Sequence, residues 1–455
     1  MADVQLDHTA LDCQLQSLLD ARHWYVGFSG GVDSTVLLHL LHQWRRRHPE
    51  APPLGAIHVN HNLQARAADW QAHCEWFCRL LQIPIVCLEG EVIPAAHGLE
   101  AAARETRYSL FEAQLQAGDV LFLGHHADDQ VETFFLRLLR GAGVQGLAAM
   151  PAGRPLGPGR LARPLLQQPR SALEAYARAQ GLSCVEDPSN SDTALDRNFL
   201  RSQVLPLLAG RWPGYRQTVA RASEHIATAA GLLAETVPVP ATVYSALGDP
   251  GLPLADLGAG SPEVAALVLR RWLRAAGLPA PDRAALAEFQ RQLDKVSERA
   301  RPRLQCSAYT LQRYRDGVYL VPEFATAAPG DDTLPLVPGE VRQLPGAAGR
   351  FWLTPAQGQG LSLAPGEVLA VAWRRGGERC RPSGRSGSAG LKKLLQERDV
   401  PPWWREWVPL LYLEGELLAV GDLWLCESSR CAAAPRPGES LWQPRWERNI
   451  TTAFD

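Results

Sequence analysis

Six consecutive residues near the start of the chain, Ser29-Gly30-Gly31-Val32-Asp33-Ser34, have side chains and spacing suited to binding phosphate. The paired glycines let the backbone turn sharply and bring successive N–H groups close to a ligand, and the serines can donate hydroxyl groups. A helix starting here adds its positive N-terminus. No GxxxxGK[ST] pattern is present and the loop holds no lysine, so a Walker-type NTPase and a GxGxxG dinucleotide turn are excluded. A plain Gly-rich turn is the alternative.

Polar residues also follow two later apolar segments. The first group is His58-Val59-Asn60-His61, and the second runs from Gly124 through His125 to Thr133. Within the second group Asp129 and Glu132 are three residues apart, so on a helix they share one face. Such a pair can hold Mg²⁺ against a polyphosphate or receive an ammonium group. The alternative is an N-capping aspartate with acidic residues in the first turn, a role that is compatible with function.

Two arginines lie between these groups. Arg104 and Arg107 are one turn apart on a predicted helix, where either could meet an anion. Glu100, four residues before Arg104, offers an ordinary surface ion pair as the alternative.

Repeated strand–helix units position these residues. The apolar runs and helical spacings predict strands at 24–28, 54–59, 83–88 and 120–124, and helices at 32–44, 70–81, 99–115 and 128–140. Such units imply right-handed crossovers and a parallel twisted sheet with helices on both faces. The fold class is therefore α/β over roughly the first 210 residues, a Rossmann-like arrangement, and ligands should bind beyond the carboxyl ends of the strands.

The rest of the chain predicts two smaller α+β domains. Helices at 197–208 and 219–233 close the first domain, and Pro-rich residues 238–253 look like a linker. A helical stretch at 261–297 precedes a hairpin at 303–322, and a second Pro/Gly-rich stretch at 327–349 precedes short strands with one helix near Leu391. No element is predicted after Cys431. The predicted domains are 1–215, 216–330 and 350–431, followed by a tail at 432–455.

Basic charge is local rather than global. The chain has 46 basic and 48 acidic residues, so no overall positive field points to a nucleic acid. Residues 374–407, however, hold nine basic and four acidic residues, and residues 196–221 hold five arginines and one aspartate. These patches could meet backbone phosphates, although a solvated charged face is the alternative. The candidate RNA contacts are Arg197, Arg201, Arg381, Arg385, Lys392 and Lys393.

Trp403 and Trp404 follow two prolines within the second patch. Aromatic side chains stack on unpaired bases, which would suit an RNA-binding role. We expect core packing instead, because one of two adjacent strand or turn positions normally faces inward.

The cysteines and the N-terminus indicate a cytoplasmic protein. Nine cysteines are scattered without a CxxC motif, which predicts free thiols in a reducing compartment. Cys74 and Cys78, four apart on a predicted helix, are expected to pack in the core. No signal-peptide pattern and no run of about 18 apolar residues is present, so no membrane association is expected.

Taken together, the motifs resemble the PP-loop (N-type ATP pyrophosphatase) superfamily and, within it, the tRNA(Ile)-lysidine synthetase family. The resemblance covers most of residues 20–430. It rests on SGGVDS at 29–34, HVNH at 58–61, AARETRY at 102–108, GHHADDQVET at 124–133, RG at 140–141, RPLL at 163–166, EDPSN at 186–190, RNFLR at 197–201 and the segment 381–405, which resembles the C-terminal domain of the long form.

The resemblance implies a ligase with two-step chemistry. ATP would adenylate the carbonyl oxygen at carbon-2 of the wobble cytidine in the CAU anticodon of tRNA(Ile), with release of pyrophosphate. Free L-lysine would then displace AMP, and the modified tRNA would read AUA instead of AUG. ATP and Mg²⁺ are the implied cofactors, and a homodimer is compatible with the sequence.

The resemblance also suggests roles for the site residues. The loop and Asp33 would hold Mg²⁺ and the leaving pyrophosphate, with Asp129 as a second contact to the metal. Glu132 would lie near the lysine amine, and Arg104 or Arg107 would neutralise the α-phosphate or the lysine carboxylate. The expected catalytic set is Asp33, Arg104, His125, Asp129 and Glu132. The expected ATP site is Ser29, Gly30, Gly31, Val32, Asp33, Ser34, His58 and Asn60.

Three other functions are weighed against this one. A PP-loop tRNA thiolase uses the same adenylation but needs a reactive or cluster-binding cysteine near the loop, often in CxxC, and the sequence has no such motif. Glutamine-dependent amidating relatives need an amidotransferase domain that the chain lacks. A non-enzymatic RNA-binding protein would not need Asp33, Asp129 and Glu132.

Overall fold

The computed structural model describes residues 6–61, 66–92, 99–186, 192–258, 260–295, 301–324 and 333–450. The chain forms two compact units, residues 1–236 and 237–455. Residues 187–190 of the EDPSN motif, the end of the predicted helical stretch 261–297 and part of the predicted linker 327–349 lie outside the described residues.

The first unit is built on a six-stranded sheet with the order β3-β2-β1-β4-β6-β5. Its strands are β1 Trp24–Gly27, β2 Leu54–Asn60, β3 Ile85–Glu89, β4 Val120–Phe122, β5 Gly153–Leu156 and β6 Gly159–Ala162. Every neighbouring pair is parallel except β5–β6, which is an antiparallel hairpin at the edge. The predicted α/β class is confirmed, and the edge hairpin adds to it.

Helices cover both faces of this sheet, as predicted. The helices are α1 His8–Gln16, α2 Val32–Arg47, α3 Ala67–Leu80, α4 Leu99–Gln114, α5 Ala127–Leu139, α6 Val144–Leu147, α7 Arg170–Ala179, α8 Asp196–Phe199, α9 Leu205–Arg211 and α10 Tyr215–Thr236. Alternate strand residues face opposite sides: Trp24 and Phe122 pack with α1, α2, α3 and α7, whereas Ile57 and Leu121 pack with Phe111 of α4. Burial of these apolar residues is the main force that holds the layers together.

One feature at the end of this unit differs from the expectation of one plain helix at 197–208. A π-helical turn, Leu200–Val204, joins α8 to α9. The following helix α10 packs against α5 and α6 and lies in the first unit, as expected of the helix predicted at 219–233 to close that domain. Such π turns often occur at functional sites.

The second unit opens with a five-stranded antiparallel sheet, ordered β7-β8-β11-β10-β9, and three helices. The elements are β7 Val243–Tyr244, β8 Pro250–Pro253, α11 Leu254–Gly258, α12 Pro262–Ala275, α13 Arg283–Lys295, β9 Arg303–Gln305, β10 Thr310–Tyr314 and β11 Gly317–Val321. Trp272 and Phe289 fill its core. The hairpin prediction for 303–322 is confirmed. The expectation of a linker at 238–253 is corrected, because β8 pairs with β11 despite a proline at each of its ends.

The remainder of the second unit contains two further five-stranded sheets, ordered β12-β16-β19-β20-β21 and β13-β14-β23-β15-β22, and a two-stranded ribbon, β17-β18. The elements are β12 Leu334–Leu336, β13 Val341–Gln343, β14 Arg350–Pro355, β15 Gly360–Leu363, β16 Leu369–Ala372, β17 Arg379–Cys380, β18 Ala389–Gly390, α14 Leu391–Glu397, β19 Leu410–Leu413, β20 Glu416–Val420, β21 Trp424–Leu425, β22 Cys431–Ala432 and β23 Ser440–Glu447. The helix near Leu391 is confirmed. The irregular tail is corrected, because β23 lies at the centre of one sheet, between β14 and β15.

The paired tryptophans are core residues, as expected. Trp404 is fully buried, and its ring lies 5.4 Å from that of Trp446. The indole N–H groups of Trp403 and Trp404 both donate to the buried carboxylate of Asp249, which also accepts a hydrogen bond from Ser245. This arrangement joins the first sheet of the second unit to its C-terminal part.

Two other expectations can be compared with the described residues. In that part of the chain no helix is both long enough and apolar enough to cross a membrane. All nine cysteines are free, and Cys74 and Cys78 are buried in the core.

Candidate functional site

The loop after β1 is folded into a fixed turn by its own polar groups. Ser34 accepts a hydrogen bond from the Ser29 N–H at 3.2 Å, and its hydroxyl donates to the Gly31 carbonyl at 3.1 Å. Gly30 has φ +82°, a left-handed conformation that favours glycine. Gly31 is the N-cap of α2 and has no side chain to cap the helix, so the N–H groups of the first turn receive no capping hydrogen bond from it. The geometry is that of an anion site.

Gly124 brings the end of β4 against the first turn of α2. A Cβ at this position would lie 2.8 Å from the Asp33 carbonyl oxygen, so only glycine permits the approach. As a result Asp33 faces His126, with 3.6 Å between Asp33 Oδ2 and His126 Nε2. The other carboxylate oxygen, Oδ1, is buried and accepts no hydrogen bond from a described residue.

His126, which the sequence reasoning did not select, is at the centre of the charged groups. It is the N-cap of α5 and forms a reciprocal capping box with Asp129: the His126 N–H donates to Asp129 Oδ2 at 3.0 Å, and the Asp129 N–H donates to His126 Nδ1 at 3.3 Å. Burial opposes its protonation, but the hydrogen bond to Asp33 and the charges of Asp129 and Asp33 raise its pKa above the ordinary value. Its position just before the helix was the signal available in the sequence.

His125, a predicted catalytic residue, lies beside Arg163. The Arg163 Nε–H donates to His125 Nδ1 at 3.3 Å, which leaves the proton on Nε2. Burial, followed by the nearby charges of Arg163 and Arg104, lowers the pKa of His125 to about 3. His125 is therefore neutral and can donate one hydrogen bond.

Glu132 and Asp129 share two arginines, Arg197 of α8 and Arg201 of the π-helical turn. Glu132 is fully buried and accepts hydrogen bonds from Arg197 Nε at 2.8 Å and from Arg201 Nε and Nη2 at 2.7 and 3.0 Å. Both arginines also lie 3.6 Å from Asp129 Oδ1. The Asp129 pKa is lowered because the charges of His126 and Arg197 outweigh burial.

This network differs from the expected roles in two ways. Both oxygens of Glu132 are already occupied, so its carboxylate is not an open acceptor for an amine. The guanidinium groups of Arg197 and Arg201 bind carboxylates within the first unit, whereas the sequence suggested RNA phosphates. A charge count identified the residues but not their partners, which are 65 and 69 positions away.

A cavity of about 410 Å³ lies against the same network. Glu132 and Arg201 form one wall, Leu205 and Tyr215 provide apolar surface, and the ion pairs Asp128–Arg216 and Arg170–Glu174 complete the lining. Such a space, with charges of both signs and an apolar side, can hold a small zwitterion.

The remaining predicted residues lie around the loop. His58 and Asn60 are buried at the end of β2; the His58 ring bonds the Phe28 carbonyl at 2.9 Å, and Asn60 donates to Gln71 at 3.2 Å. Burial lowers the His58 pKa. Arg107 donates to His61 at 3.4 Å, and Arg104 donates to the Tyr108 hydroxyl at 3.2 Å.

Asp33 fits a magnesium ion better than Asp129 does. In the described parts of the chain no group of three or more metal-binding side chains occurs. Magnesium bound to a nucleotide, however, commonly needs only one or two carboxylates in addition to phosphate oxygens. The unpartnered Asp33 Oδ1 beside the phosphate loop meets that need. Asp129, in contrast, is surrounded by His126 and two arginines.

The nearest thiols are poorly suited to sulfur transfer. Cys74 Sγ is 3.1 Å from where a Cβ of Gly30 would lie, and this thiol is completely buried. Burial raises the pKa of Cys74 and also that of Cys184. A reactive cysteine needs the opposite, because the thiolate is the nucleophile.

In the second unit, part of the predicted basic surface is neutralised. Arg385 pairs with Glu397 at 2.5 Å, and Lys393 lies 3.9 Å from the same carboxylate. Arg381 donates to the Arg385 carbonyl at 2.7 Å. Lys392 is exposed, and no described carboxylate lies within 4 Å of it.

Family comparisons agree with this geometry. A PP-loop domain model matches residues 5–208, a TilS substrate binding domain model matches 252–319, and a TilS substrate C-terminal domain model matches 369–443. The tRNA(Ile)-lysidine synthase of Pseudomonas putida is 43% identical over 416 residues, which cover 89% of this chain and 93% of that protein. That of Serratia proteamaculans is 37% identical over 451 residues, which cover 97% and 100% respectively. The chain therefore belongs to the tRNA(Ile)-lysidine synthase family.

Proposed function

We propose that the protein is a ligase that uses ATP to join free L-lysine to carbon-2 of the wobble cytidine in tRNA(Ile) with a CAU anticodon. The observation that carries the proposal is the buried, unpartnered Asp33 Oδ1 at the end of a preformed phosphate loop. The loop N–H groups bind the outer phosphates, and His126, whose Nε2 lies 3.6 Å from Asp33 Oδ2, orients the Asp33 carboxylate next to them. When bound, Mg²⁺ would be held by Asp33 and would neutralise the leaving pyrophosphate.

The α5 residues have separate tasks in this proposal. Neutral His125 donates a hydrogen bond from Nε2 to an oxygen of the reacting group. Glu132 positions Arg197 and Arg201, which also lie near Asp129, so these arginines add fixed positive charge beside the transferred phosphorus. Their role is therefore positioning within the catalytic unit rather than contact with the RNA backbone.

Free lysine occupies the cavity beside Glu132 in this proposal. The ion pairs Arg170–Glu174 and Asp128–Arg216 line this cavity, so a bound zwitterion would exchange part of these pairs for its own carboxylate and α-amine, while Leu205 and Tyr215 would contact its methylene groups. Lys392 contributes to tRNA binding in the second unit. A homodimer stays a prediction, which sedimentation analysis would test.

The test is a ligation assay with the full chain, Mg²⁺, ATP and radiolabelled lysine. Label should enter tRNA(Ile) with the CAU anticodon and not the methionine tRNA with the same anticodon. Nuclease digestion and mass spectrometry should place lysine on the wobble cytidine. Label at the 3′ end would indicate an aminoacylating enzyme instead, and sulfur incorporation without lysine would indicate a thiolase.

A further inference from the structure

The edge hairpin β5–β6 brings Arg154, a residue with no role so far, to the edge of the sheet where the site residues follow β1 and β4. β6 runs parallel to β4, so its carboxyl end lies beside His125. Because β5 is antiparallel to β6, its first residues lie at that same edge: Gly153 pairs with Ala162, and Arg154 pairs with Leu161. Arg154 is exposed. None of the motifs that identified the site includes this residue.

Arg154 shares one aromatic ring with a second arginine. Its guanidinium carbon is 5.2 Å from the centre of the Tyr108 ring, and that of Arg104 is 4.9 Å from the same centre. A guanidinium over an aromatic ring is attracted by the ring's negative face and loses part of its rotational freedom. Tyr108, half-buried on α4, therefore restricts the positions of both charges before any ligand binds.

The described side chains, which do not include that of Glu100, offer this pair no acidic partner. Among the described residues, no carboxylate lies within 4 Å of the Arg104 or Arg154 guanidinium, whereas Arg197, Arg201 and Arg216 each bind one. The buried Arg163 adds a third charge: burial lowers its pKa, and repulsion from Arg154 and Arg104 lowers it further. Three like charges that meet no carboxylate among the described side chains favour the binding of an anion.

The position of Arg154 favours an anion other than the triphosphate or the lysine carboxylate. β5 is three strands from β1, roughly 14 Å at the usual strand spacing, so the Arg154 backbone lies well away from the loop after β1 that would hold the triphosphate. The lysine carboxylate has its own arginines in the cavity, Arg170 and Arg216. The RNA backbone on either side of the target nucleotide must, however, cross this edge for its base to reach the loop.

We propose that Arg154, held over Tyr108 together with Arg104, binds a backbone phosphate of the tRNA anticodon loop and thereby positions the target cytidine. The inference rests on the proposed function, since it takes tRNA as the substrate. Arg154 is a substrate-binding residue in this scheme, and Tyr108 is a positioning residue.

The experiment compares full-length Arg154→Ala, Arg154→Lys and the control Arg178→Ala. Arg178 is an exposed arginine at the far end of α7, roughly 12 Å along the helix from its start. Binding of tRNA(Ile) without ATP is measured at salt concentrations from about 50 mM to about 200 mM. ATP binding is measured without tRNA. Arg154→Ala should weaken tRNA binding roughly tenfold at low salt and flatten the log–log salt slope by about 0.7.

The lysine variant separates charge from geometry. Arg154→Lys should keep the salt slope but recover only part of the affinity, because an ammonium does not stack on the tyrosine or bind phosphate with two N–H groups. Arg178→Ala should match the wild type in both measurements, and ATP binding should be unchanged in all variants.

Two results would overturn the inference: an unchanged salt slope in Arg154→Ala, or a loss of ATP affinity without tRNA. Failure of the proposed function has a different signature. In that case the wild type would transfer no lysine, while the loss of tRNA binding in Arg154→Ala would still report an RNA contact.

Discussion

Glu132→Gln should destabilise the first unit as well as impair lysine transfer. The wild-type carboxylate is fully buried and accepts three hydrogen bonds from Arg197 and Arg201. The amide keeps the shape but removes the negative charge and turns N–H groups toward the guanidiniums. Breaking a buried ion pair from one side costs about 3–5 kcal/mol. In a unit of this size, 1 kcal/mol corresponds to about 2–4 °C, so the melting temperature should fall by roughly 10 °C.

Differential scanning calorimetry of the full chain measures this change, and Glu224→Gln is the matched control. Glu224 is exposed on α10, so the same substitution there should shift the transition by less than about 2 °C. If Glu132 instead faced the substrate as an open base, Glu132→Gln would abolish lysine transfer with no change in melting temperature. That result would refute the buried network.

Three further predictions follow from charged and buried groups. His126→Gln should lower the melting temperature more at pH 6 than at pH 9. The raised pKa of His126 gives stability that is complete below the pKa of an unfolded histidine and is lost as the pH rises through the pKa in the folded protein. An equal loss of melting temperature at both pH values would contradict this. Asp249→Ala leaves the indole N–H groups of Trp403 and Trp404 without an acceptor, so the second unit should lose about 3 kcal/mol or more, measured by urea unfolding. Lys392→Ala should flatten the salt slope of tRNA binding by about 0.7–0.9, with ATP binding unchanged, and an unaltered slope would show that this lysine is only solvated.

Local sequence patterns were sufficient to predict the strands and helices in the central part of the first unit. Strands β1 to β4 are short apolar runs followed by glycine or polar residues, and the intervening helices show clear apolar spacing. The phosphate loop could also be predicted, because its glycines and serines act through local backbone geometry. Parallel sheets bind ligands at one edge, so the order of strands and helices along the chain was enough to assign Asp33, His58 and the residues after β4 to one site.

Elements that depend on distant partners could not be predicted in the same way. β8 and β23 contain prolines that suggest irregular chain, yet each is stabilised by pairing with strands far away in sequence. The hairpin β5–β6 is Gly- and Pro-rich, and it exists because β6 adds to β4. The ion pairs of Glu132 with Arg197 and Arg201 are likewise tertiary contacts, so the charge count of 196–221 suggested an RNA surface instead.

The most direct test of the account is to trap the adenylated tRNA at the site formed by the phosphate loop and Asp33. The full chain is incubated with Mg²⁺, tRNA(Ile) and ATP labelled at the α-phosphate, first without lysine and then with it. The account predicts that label accumulates in the tRNA, that lysine releases it as AMP, and that Asp33→Asn forms no labelled tRNA although it remains folded. Labelled tRNA formed by Asp33→Asn at the wild-type rate, or lysine transfer without any labelled intermediate, would contradict it.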